Sequence, residues 1–340
     1  VGAGRGLTTL LIDDSGGGTD GLGNNVSGTT YDALDNFHVR GISFRGRADI
    51  SRTGASKAQL IRIKGTNLSF EDCEFLYSRN MGIVITDSRR VTVRKCRVFR
   101  TIADGIAVWD SSDVLISDND ITGANDDAIS AHSADTTAAP VRSGIIITNN
   151  RITESQGIAV LGLKSILING NVLSRIMGTG IRVRAPGTDV QGQAPQFSCR
   201  IANNIVNDVF LRSETSPRNA AQFYINISGG VRRANGAAAP PGEVDPATGT
   251  AVSLYGTNGT GTLYANETGS GGSPAPAGYG IEIVDNILMR TLPSVTTVSQ
   301  WGYDTSASGL WVGDNGNGTG YYNGAISEAA GRAVSQWLIF

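Results

Sequence analysis

A short motif, Gly or Ala followed by Ile, recurs along the chain at nearly constant intervals. The copies are Gly82-Ile-Val-Ile-Thr, Gly105-Ile-Ala-Val-Trp, Ala128-Ile-Ser-Ala-His, Gly157-Ile-Ala-Val-Leu and Gly180-Ile-Arg-Val-Arg. Successive copies begin 23, 23, 29 and 23 residues apart. The long interval contains a polar, Ala-rich insert around Asp135 to Arg142, which we interpret as a loop. A fixed period of this length is typical of stacked repeats, which are stable only against their neighbours.

A second pattern lies within each period, with apolar residues two apart, then three further on, then two further on. Its copies are Phe37/Val39/Ile42/Phe44, Leu68/Phe70/Cys73/Phe75, Val91/Val93/Cys96/Val98, Val114/Ile116/Asn119/Ile121, Ile145/Ile147/Asn150/Ile152, Ile166/Ile168/Asn171/Leu173, Cys199/Ile201/Asn204/Val206 and Ile281/Ile283/Asn286/Leu288. Alternation with a period of two predicts strands, and the change of phase predicts a bend. The fold class is therefore all-β, a right-handed parallel β-helix whose coils stack about 4.8 Å apart.

The third member of this pattern changes from Cys to Asn along the chain. Asn119, Asn150, Asn171 and Asn204 fall in one column, where stacked Asn side chains can hydrogen-bond the coils on either side. Cys73 and Cys96 occupy that column in earlier coils. We expect two buried free thiols, although a disulfide between neighbouring coils is also geometrically compatible with this column.

Two regions depart from the repeat and divide the chain. Residues 1–206 hold the coils, and residues 207–277, rich in Gly, Ala and Pro, are interpreted as an excursion from the helix. Residues 278–340 contain the last coil and a Trp-bearing tail, which we interpret as a cap or subunit contact, because a stacked fold needs its end covered. The chain begins without Met, and we interpret it as a piece or a processed form of a longer protein.

Composition argues against several classes of function. The formal net charge is −2 and no long basic run is present, so nucleic acid is not an expected partner. No apolar stretch approaches the roughly 18 residues of a membrane span. The sequence contains neither a Gly-x-Ser-x-Gly elbow paired with His nor a Cys/His cluster with zinc-ligand spacing.

Polar residues concentrate on the outward positions of the motif strands. If the Ile of each motif points into the core, its neighbours point outward. Three outward columns follow: Met81, Asp104, Asp127, Gln156, Thr179; Val84, Ala107, Ser130, Ala159, Arg182; and Thr86, Trp109, His132, Leu161, Arg184. One face therefore gathers Asp104, Asp127, Trp109, His132, Arg182 and Arg184.

The two aspartates on neighbouring coils are the candidate catalytic pair. Like charges this close repel, which raises the pKa of one and suits a general acid beside a base. Asp before Gly is also a common turn residue, so a structural role is the alternative. Asp126 is a third catalytic candidate or a solvated turn residue. No cofactor is required, although Asp104, Asp126 and Asp127 offer hard oxygen ligands that could hold Ca²⁺.

The other side chains on this face are candidate substrate-binding residues. The Trp109 ring could stack on a sugar or lie under the 133–142 loop. His132 suits proton transfer or sugar binding, and an ordinary exposed histidine is the alternative. Arg182 and Arg184 could bind the carboxylates of an acidic glycan, or they are ordinary surface charges.

The first residues, Gly2-Ala-Gly-Arg-Gly-Leu-Thr-Thr-Leu, and the coils from about residue 35 to 210 resemble the pectate-lyase-like superfamily. Ala103-Asp104-Gly105, followed one coil later by Asn125-Asp126-Asp127-Ala128-Ile129, is similar to the polygalacturonase pattern. That resemblance implies that the aspartates are the acid and base of hydrolysis. The chain reads Glu154-Ser-Gln-Gly157 where the polygalacturonases have a His, whereas Arg182 or Arg184 corresponds to their basic residue. Phage tailspike depolymerases also resemble this layout, which implies an extracellular or virion-surface location and a homotrimer.

Three functions remain open at this point. The first is hydrolysis of an extended, acidic polysaccharide by Asp104 and Asp127, possible with either stereochemical outcome. The second is a polysaccharide lyase in which Arg182, Arg184 or His132 abstracts the proton beside a uronate carboxylate. The third is a non-catalytic glycan-binding or structural β-helix module.

Overall fold

The computed structural model consists of short strands stacked into three long sheets. The structure describes residues 2–12, 22–23, 33–46, 59–133, 142–177, 179–184, 198–212, 223–229, 280–289, 303–304, 308–314 and 321–325. Over these residues it contains 29 strands and no helix. It follows that no helix in this part of the chain is long and apolar enough to cross a membrane.

Each full coil contributes one strand to each sheet, in the order sheet 1, sheet 2, sheet 3. Sheet 1 consists of β2 (Leu22–Gly23), β6 (Ile61–Ile63), β9 (Ile83–Thr86), β12 (Ile106–Trp109), β15 (Asp127–His132), β18 (Gln156–Leu161), β21 (Ile181–Arg184), β24 (Phe223–Gly229), β28 (Ser308–Asp314) and β29 (Tyr321–Ala325). Sheet 2 consists of β3 (Leu34–Asp35), β4 (His38–Arg40), β7 (Gly65–Glu71), β10 (Arg89–Arg94), β13 (Ser112–Ser117), β16 (Ser143–Thr148), β19 (Lys164–Asn169), β22 (Ser198–Ala202) and β25 (Gly280–Val284). Sheet 3 consists of β1 (Thr9–Leu11), β5 (Ser43–Arg45), β8 (Glu74–Ser78), β11 (Arg97–Thr101), β14 (Asp120–Ala124), β17 (Arg151–Thr153), β20 (Val172–Met177), β23 (Ile205–Arg212), β26 (Ile287–Met289) and β27 (Tyr303–Asp304).

The strands pair in parallel and in register from coil to coil. In sheet 1, Ile83 pairs with Ile106, which pairs with Ile129, so residues one period apart lie directly over one another. The pairing is antiparallel only at β23–β27 and β28–β29 among the described strands. The predicted parallel β-helix is therefore confirmed.

The predicted bend between the two strands of the second pattern is a single residue in the left-handed region. Lys95 separates β10 from β11 with a φ of 53°, and Asp118 and Asn149 take the same position in later coils with φ values of 57° and 56°. Asn and Asp tolerate this conformation better than most residues, and Gly170 adopts it freely at the equivalent position, with a φ of 68°. The chain turns here from sheet 2 into sheet 3.

A ladder of asparagine side chains follows this bend. Asn150 Oδ1 accepts hydrogen bonds from Asn119 N (3.0 Å) and Asn119 Nδ2 (2.9 Å). Asn150 Nδ2 donates to Ile116 O (3.0 Å) and to Asn171 Oδ1 (2.9 Å). The same bonds continue through Asn204 to Asn286, and every ladder asparagine is buried. The predicted Asn column is thus a continuous hydrogen-bonded network in the core.

The two cysteines extend this column toward the beginning of the chain as free thiols, as expected. Cys96 N donates to Asn119 Oδ1 (2.9 Å), and Cys96 Sγ donates to Phe70 O (3.5 Å). In the next coil, Asn119 Nδ2 donates to the equivalent carbonyl, Val93 O. Burial raises the pKa of the Cys96 thiol, whereas the hydrogen bond from Cys96 lowers the pKa of Cys73 to about 7. Each thiol therefore substitutes for an asparagine amide, with weaker bonds.

Only part of the proposed division of the chain lies within the described residues. Inside the segment 207–277, strand β24 continues sheet 1, with Ile225 in register with Ile181 and Leu310. In the tail, β28 and β29 lie at the end of the same sheet. The insert at residues 134–141 and the remainder of both regions lie outside the described residues, so this division stays a prediction.

Replacing one ladder residue should destabilise the whole stack. In Asn150→Ala, four hydrogen bonds disappear and the Ile116 carbonyl and the Asn119 amide are left buried without these partners, so we expect the free energy of unfolding to fall by about 3 kcal/mol or more. Denaturant unfolding followed by circular dichroism measures this change. Asn207→Ala removes the same side chain outside the ladder, where its Oδ1 accepts no hydrogen bond from the described residues, and should therefore lower stability much less than Asn150→Ala.

Extending the ladder should have the opposite effect. In Cys96→Asn, the amide replaces weak thiol hydrogen bonds at a position where the following coils already accommodate Asn, so we expect a gain of about 1 kcal/mol in unfolding free energy. Cys96→Ala, which removes the thiol without adding an amide, should lose stability. If Cys96→Asn is no more stable than Cys96→Ala, the ladder argument fails at this rung.

Candidate functional site

The outward columns of sheet 1 are arranged as the repeat predicts. Ala107 pairs with Ser130, Trp109 with His132, and Ala159 with Arg182. The inward isoleucines of these strands all belong to the hydrophobic core, and their outward neighbours do not. The structure therefore places Asp104, Asp127, Trp109, His132 and Arg182 on one face.

The two aspartates lie on adjacent rungs at the beginning of their strands. The Gly105 amide donates to Asp127 O (3.0 Å), which fixes one coil above the next at this point. One carboxylate oxygen from each of Asp104, Asp126 and Asp127 lies within 4.8 Å of the other two. Asp104 and Asp127 are only 5% and 7% exposed, whereas Asp126 is half-buried. All three carboxylates thus form one compact acidic cluster.

Asp127 is the member of this cluster that lies next to basic side chains. Arg182 Nη2 donates to Asp127 Oδ2 (3.2 Å), and His132 Nε2 lies 3.9 Å from the same oxygen. Burial raises the pKa of Asp127 to about 7, an effect that outweighs the attraction of Arg182 and is reinforced by the charges of Asp104 and Asp126. Asp127 is therefore able to retain a proton near neutral pH.

Asp104 has a different partner, which the sequence reasoning did not identify. Ser130 Oγ donates to Asp104 Oδ2 at 2.6 Å, and Ser130 is fully buried. A signal for this contact was present, because Ser130 is the one hydroxyl residue in a column otherwise made of Val84, Ala107, Ala159 and Arg182. The two carboxylates of the pair thus have a hydroxyl donor on one side and a guanidinium donor on the other.

Trp109 lies beside His132 on the next rung. It is half-buried, and its indole Nε1 is enclosed without a hydrogen-bond partner in the described part of the chain. Donors of this kind normally find an acceptor when buried. Arg184 continues the same column on β21, in register with Leu161, and only its backbone position is described.

A further arginine shares the outward column of Arg182. Arg62 lies on β6, where it pairs with Val84, and is three rungs before Ser130 in this column. Its side chain is half-buried, and the enclosed Nε has no hydrogen-bond partner among the described residues. The sequence signal is the triplet Ile61-Arg62-Ile63, which alternates as Ile181-Arg182-Val183 does. Between the two arginines, Val84, Ala107, Ser130 and Ala159 have no exposed area, so the accessible part of this face is formed by the larger side chains around them.

Comparison with known proteins agrees with this architecture. The family described as right handed beta helix region matches residues 24–193 and 82–229, which together cover more than half of the chain. The chain belongs to this family. No curated protein matches the sequence. Among solved structures, the β-helix is similar to the catalytic domain of a GH87 alpha-1,3-glucanase in complex with nigerose, with 14% sequence identity and a TM-score of 0.39. That match covers 95% of this chain and 60% of the glucanase chain.

The acidic cluster of the β-helix also has the ligand chemistry of a divalent-cation site. Three carboxylates with hard oxygen ligands converge within 4.8 Å, which suits Ca²⁺. The guanidinium of Arg182 already supplies positive charge to one of them. The negative charge of the cluster can therefore be compensated by the Arg182 guanidinium or by a divalent cation, and the residues present are compatible with either.

The buried Asp127 should make the stability of the β-helix depend on pH. Its pKa is about 7 in the folded state and close to the ordinary 3.8 when unfolded, so between these values the folded state holds one more proton. This contribution is fully present below pH 4 and is lost as the pH rises toward 7, by up to about 1.4 kcal/mol per pH unit.

The variant Asp127→Asn should remove that slope. Unfolding free energies measured between pH 4 and 8 should fall less steeply for Asp127→Asn than for the wild type. The comparison variant Asp120→Asn removes a carboxylate from an exposed position of β14 and controls for the loss of one charge. Parallel curves for the wild type and Asp127→Asn would contradict the expected burial effect.

Proposed function

We propose that this β-helix is a polysaccharide hydrolase that cleaves an extended glycan with Asp127 as the general acid and Asp104 as the base. The observation that supports this most directly is the unequal environment of two carboxylates on adjacent rungs. Asp127 is buried with a pKa of about 7, and Asp104 accepts a short hydrogen bond from Ser130. Pairs of carboxyl groups with separated pKa values are how hydrolases of this type divide acid and base roles.

The proposed reaction needs no group beyond these side chains and water. Asp127 transfers its proton to the glycosidic oxygen as the bond from that oxygen to the anomeric carbon breaks. Asp104, assisted by Asp126, takes a proton from the water whose oxygen forms the new bond to that carbon. Arg182 remains hydrogen-bonded to Asp127 and compensates the negative charge that this residue acquires.

The neighbouring side chains suggest how a glycan would be held. The ring of Trp109 provides a face for a sugar ring, and its Nε1 provides a donor for a hydroxyl group. His132 lies 3.9 Å from Asp127 and pairs with Trp109, so a sugar held by the Trp109 ring would also lie beside the imidazole. Arg182 and Arg184 favour a glycan that bears carboxylates. As part of this proposal, the protein acts outside the cell or on a virion surface, as a homotrimer of the tailspike type.

Activity of the aspartate variants tests the proposal. We expect Asp104→Asn and Asp127→Asn each to lower the release of reducing ends from a panel of acidic polysaccharides by about 10³-fold or more, because each removes one of two proton-transfer groups. Far-UV circular dichroism should remain unchanged. The control Asp120→Asn should keep full activity, and full activity in both catalytic variants would rule out the assigned roles.

A polysaccharide lyase is the second candidate, and the convergence of three carboxylates supports it. A divalent cation held by Asp104, Asp126 and Asp127 would neutralise a uronate, and Arg182 or His132 would accept the proton. This reaction gives an unsaturated sugar that absorbs ultraviolet light. The lyase activity would be lost when EDTA removes the cation. Products without that absorbance, formed equally well in EDTA, favour hydrolysis. Binding of a glycan without any shortening would instead identify a non-catalytic binding module.

A further inference from the structure

Arg62 is a half-buried cation on the outward face of sheet 1. Ile61 and Ile63, on either side of it in β6, belong to the hydrophobic core, so the guanidinium points away from the core. Among the described residues no carboxylate forms an ion pair with it, and its enclosed Nε has no hydrogen-bond acceptor. Enclosed N–H donors normally have acceptors, so this guanidinium lacks one that a ligand can supply.

Other half-buried arginines on this side of the β-helix are neutralised. Arg142 Nη2 donates to Asp87 Oδ1 (3.0 Å), and Arg182 Nη2 donates to Asp127 Oδ2 (3.2 Å). Partial removal of a guanidinium from water is costly unless an anion compensates for it. Of these three arginines, Arg62 is the one without a compensating carboxylate in the described part of the chain.

Arg62 lies on the line along which an extended glycan would cross the acidic cluster. Asp104 and Asp127 lie on the second and third rungs after it, about 10 and 14 Å away along the sheet. Over that distance its own column holds Val84 and Ala107, short side chains without exposed area that do not project above the face. One sugar residue of an extended glycan is about as long as one rung spacing. The guanidinium would therefore meet the second or third sugar beyond the cleaved bond.

A second cation lies close to Arg62 in the same coil. Lys64 follows two residues later, and its Nζ lies 4.0 Å from Asp87 Oδ2. The same aspartate also pairs with Arg142, so one carboxylate serves two cations. The positive charge of Arg62 is therefore left in excess at this end of the face, which favours an anionic group of the ligand.

We propose that Arg62 is a specificity-determining residue that binds an anionic group of the glycan, a carboxylate or a sulfate, two or three sugars from the cleaved bond. The guanidinium presents parallel N–H donors that match the oxygen atoms of either group. This role rests on the proposed hydrolase function and narrows its substrate to a glycan that is anionic away from the cleavage point. A glycan too short to reach β6 gains nothing from Arg62.

Three variants separate this role from a general effect on folding. Arg62→Gln removes the charge and keeps a polar side chain, and Arg62→Lys keeps the charge without the planar fork. Arg151→Gln is the matched control, since it removes an exposed arginine from β17 in sheet 3. Because Arg62 forms no side-chain hydrogen bond with the described residues, we expect all three variants to unfold at the denaturant concentration of the wild type.

Binding tests this anionic subsite without any cleavage. In the Asp104→Asn background, isothermal titration calorimetry at fixed ionic strength measures the affinity for polygalacturonate, alginate, dextran sulfate and, as the uncharged polymer, dextran. We expect added Arg62→Gln to weaken binding of the carboxylated or the sulfated polymers about tenfold or more, and Arg62→Lys to weaken it less. Which polymers respond identifies the anionic group. Dextran binding, and every affinity of the Arg151→Gln control, should not change. Equal affinities with and without Arg62→Gln, or no binding of any charged polymer, would overturn the proposal.

The dependence of cleavage on oligosaccharide length is a readout that a general structural defect would not reproduce. With oligomers of a cleaved glycan, kcat/KM should rise with length until the chain reaches Arg62, because binding energy far from the reacting bond contributes to catalysis. Arg62→Gln should lose this rise and still cleave the shortest substrate at the wild-type rate. An equal loss at every length would contradict the assigned role. A polymer that binds through Arg62 and is never shortened refutes the hydrolase function alone, whereas cleavage that is indifferent to Arg62 refutes the subsite alone.

Discussion

Main-chain hydrogen bonding between successive coils is the interaction on which the rest of this structure depends. Gly82 N donates to Asp104 O (3.0 Å), and Gly105 N donates to Asp127 O (3.0 Å). Each bond places a residue over its counterpart one coil away, which turns a sequence period into a spatial column. The long insert before β16 does not disturb this order, since Val114 still pairs with Ile145 on the following coil. Residues far apart along the chain, such as Asp127 and Arg182, become neighbours for that reason alone.

The sequence predicts those features of the fold and site that follow directly from this periodicity. The period indicates the parallel β-helix, and alternation along β12 and β15 indicates which side chains face outward, including both aspartates. The hydrogen bond from Ser130 to Asp104 and the burial of Asp127 do not follow from alternation. Alternation gives the side of the sheet on which a residue lies, but the depth of the side chain and its partner depend on the neighbouring columns. Arg62 escaped notice because its strand, β6, precedes the first clear copy of the motif.

The Asn ladder and the acidic cluster act in opposite directions on stability. The ladder lies in the core beside the bend between sheets 2 and 3, where each amide satisfies main-chain and side-chain groups of adjacent coils. The cluster lies on sheet 1, where burial disfavours the charged form of Asp127. A regularly bonded core of this kind tolerates the cost of a buried carboxyl group. Strain and unfavourable charge of this type commonly concentrate at functional sites.

In a repeat fold, identical residues in one column would have nearly identical surroundings, so two stacked aspartates would have equivalent hydrogen-bond partners. The difference between Asp104 and Asp127 has to come from residues that break the repeat. Ser130 replaces the Ala of its neighbouring rungs, Arg182 lies two rungs further along the same column, and His132 stands between Trp109 and Leu161. Each of these departures contacts one aspartate or the rung beside it. The regular residues of the β-helix therefore build the platform, and its irregular residues give the two carboxyl groups their separate properties.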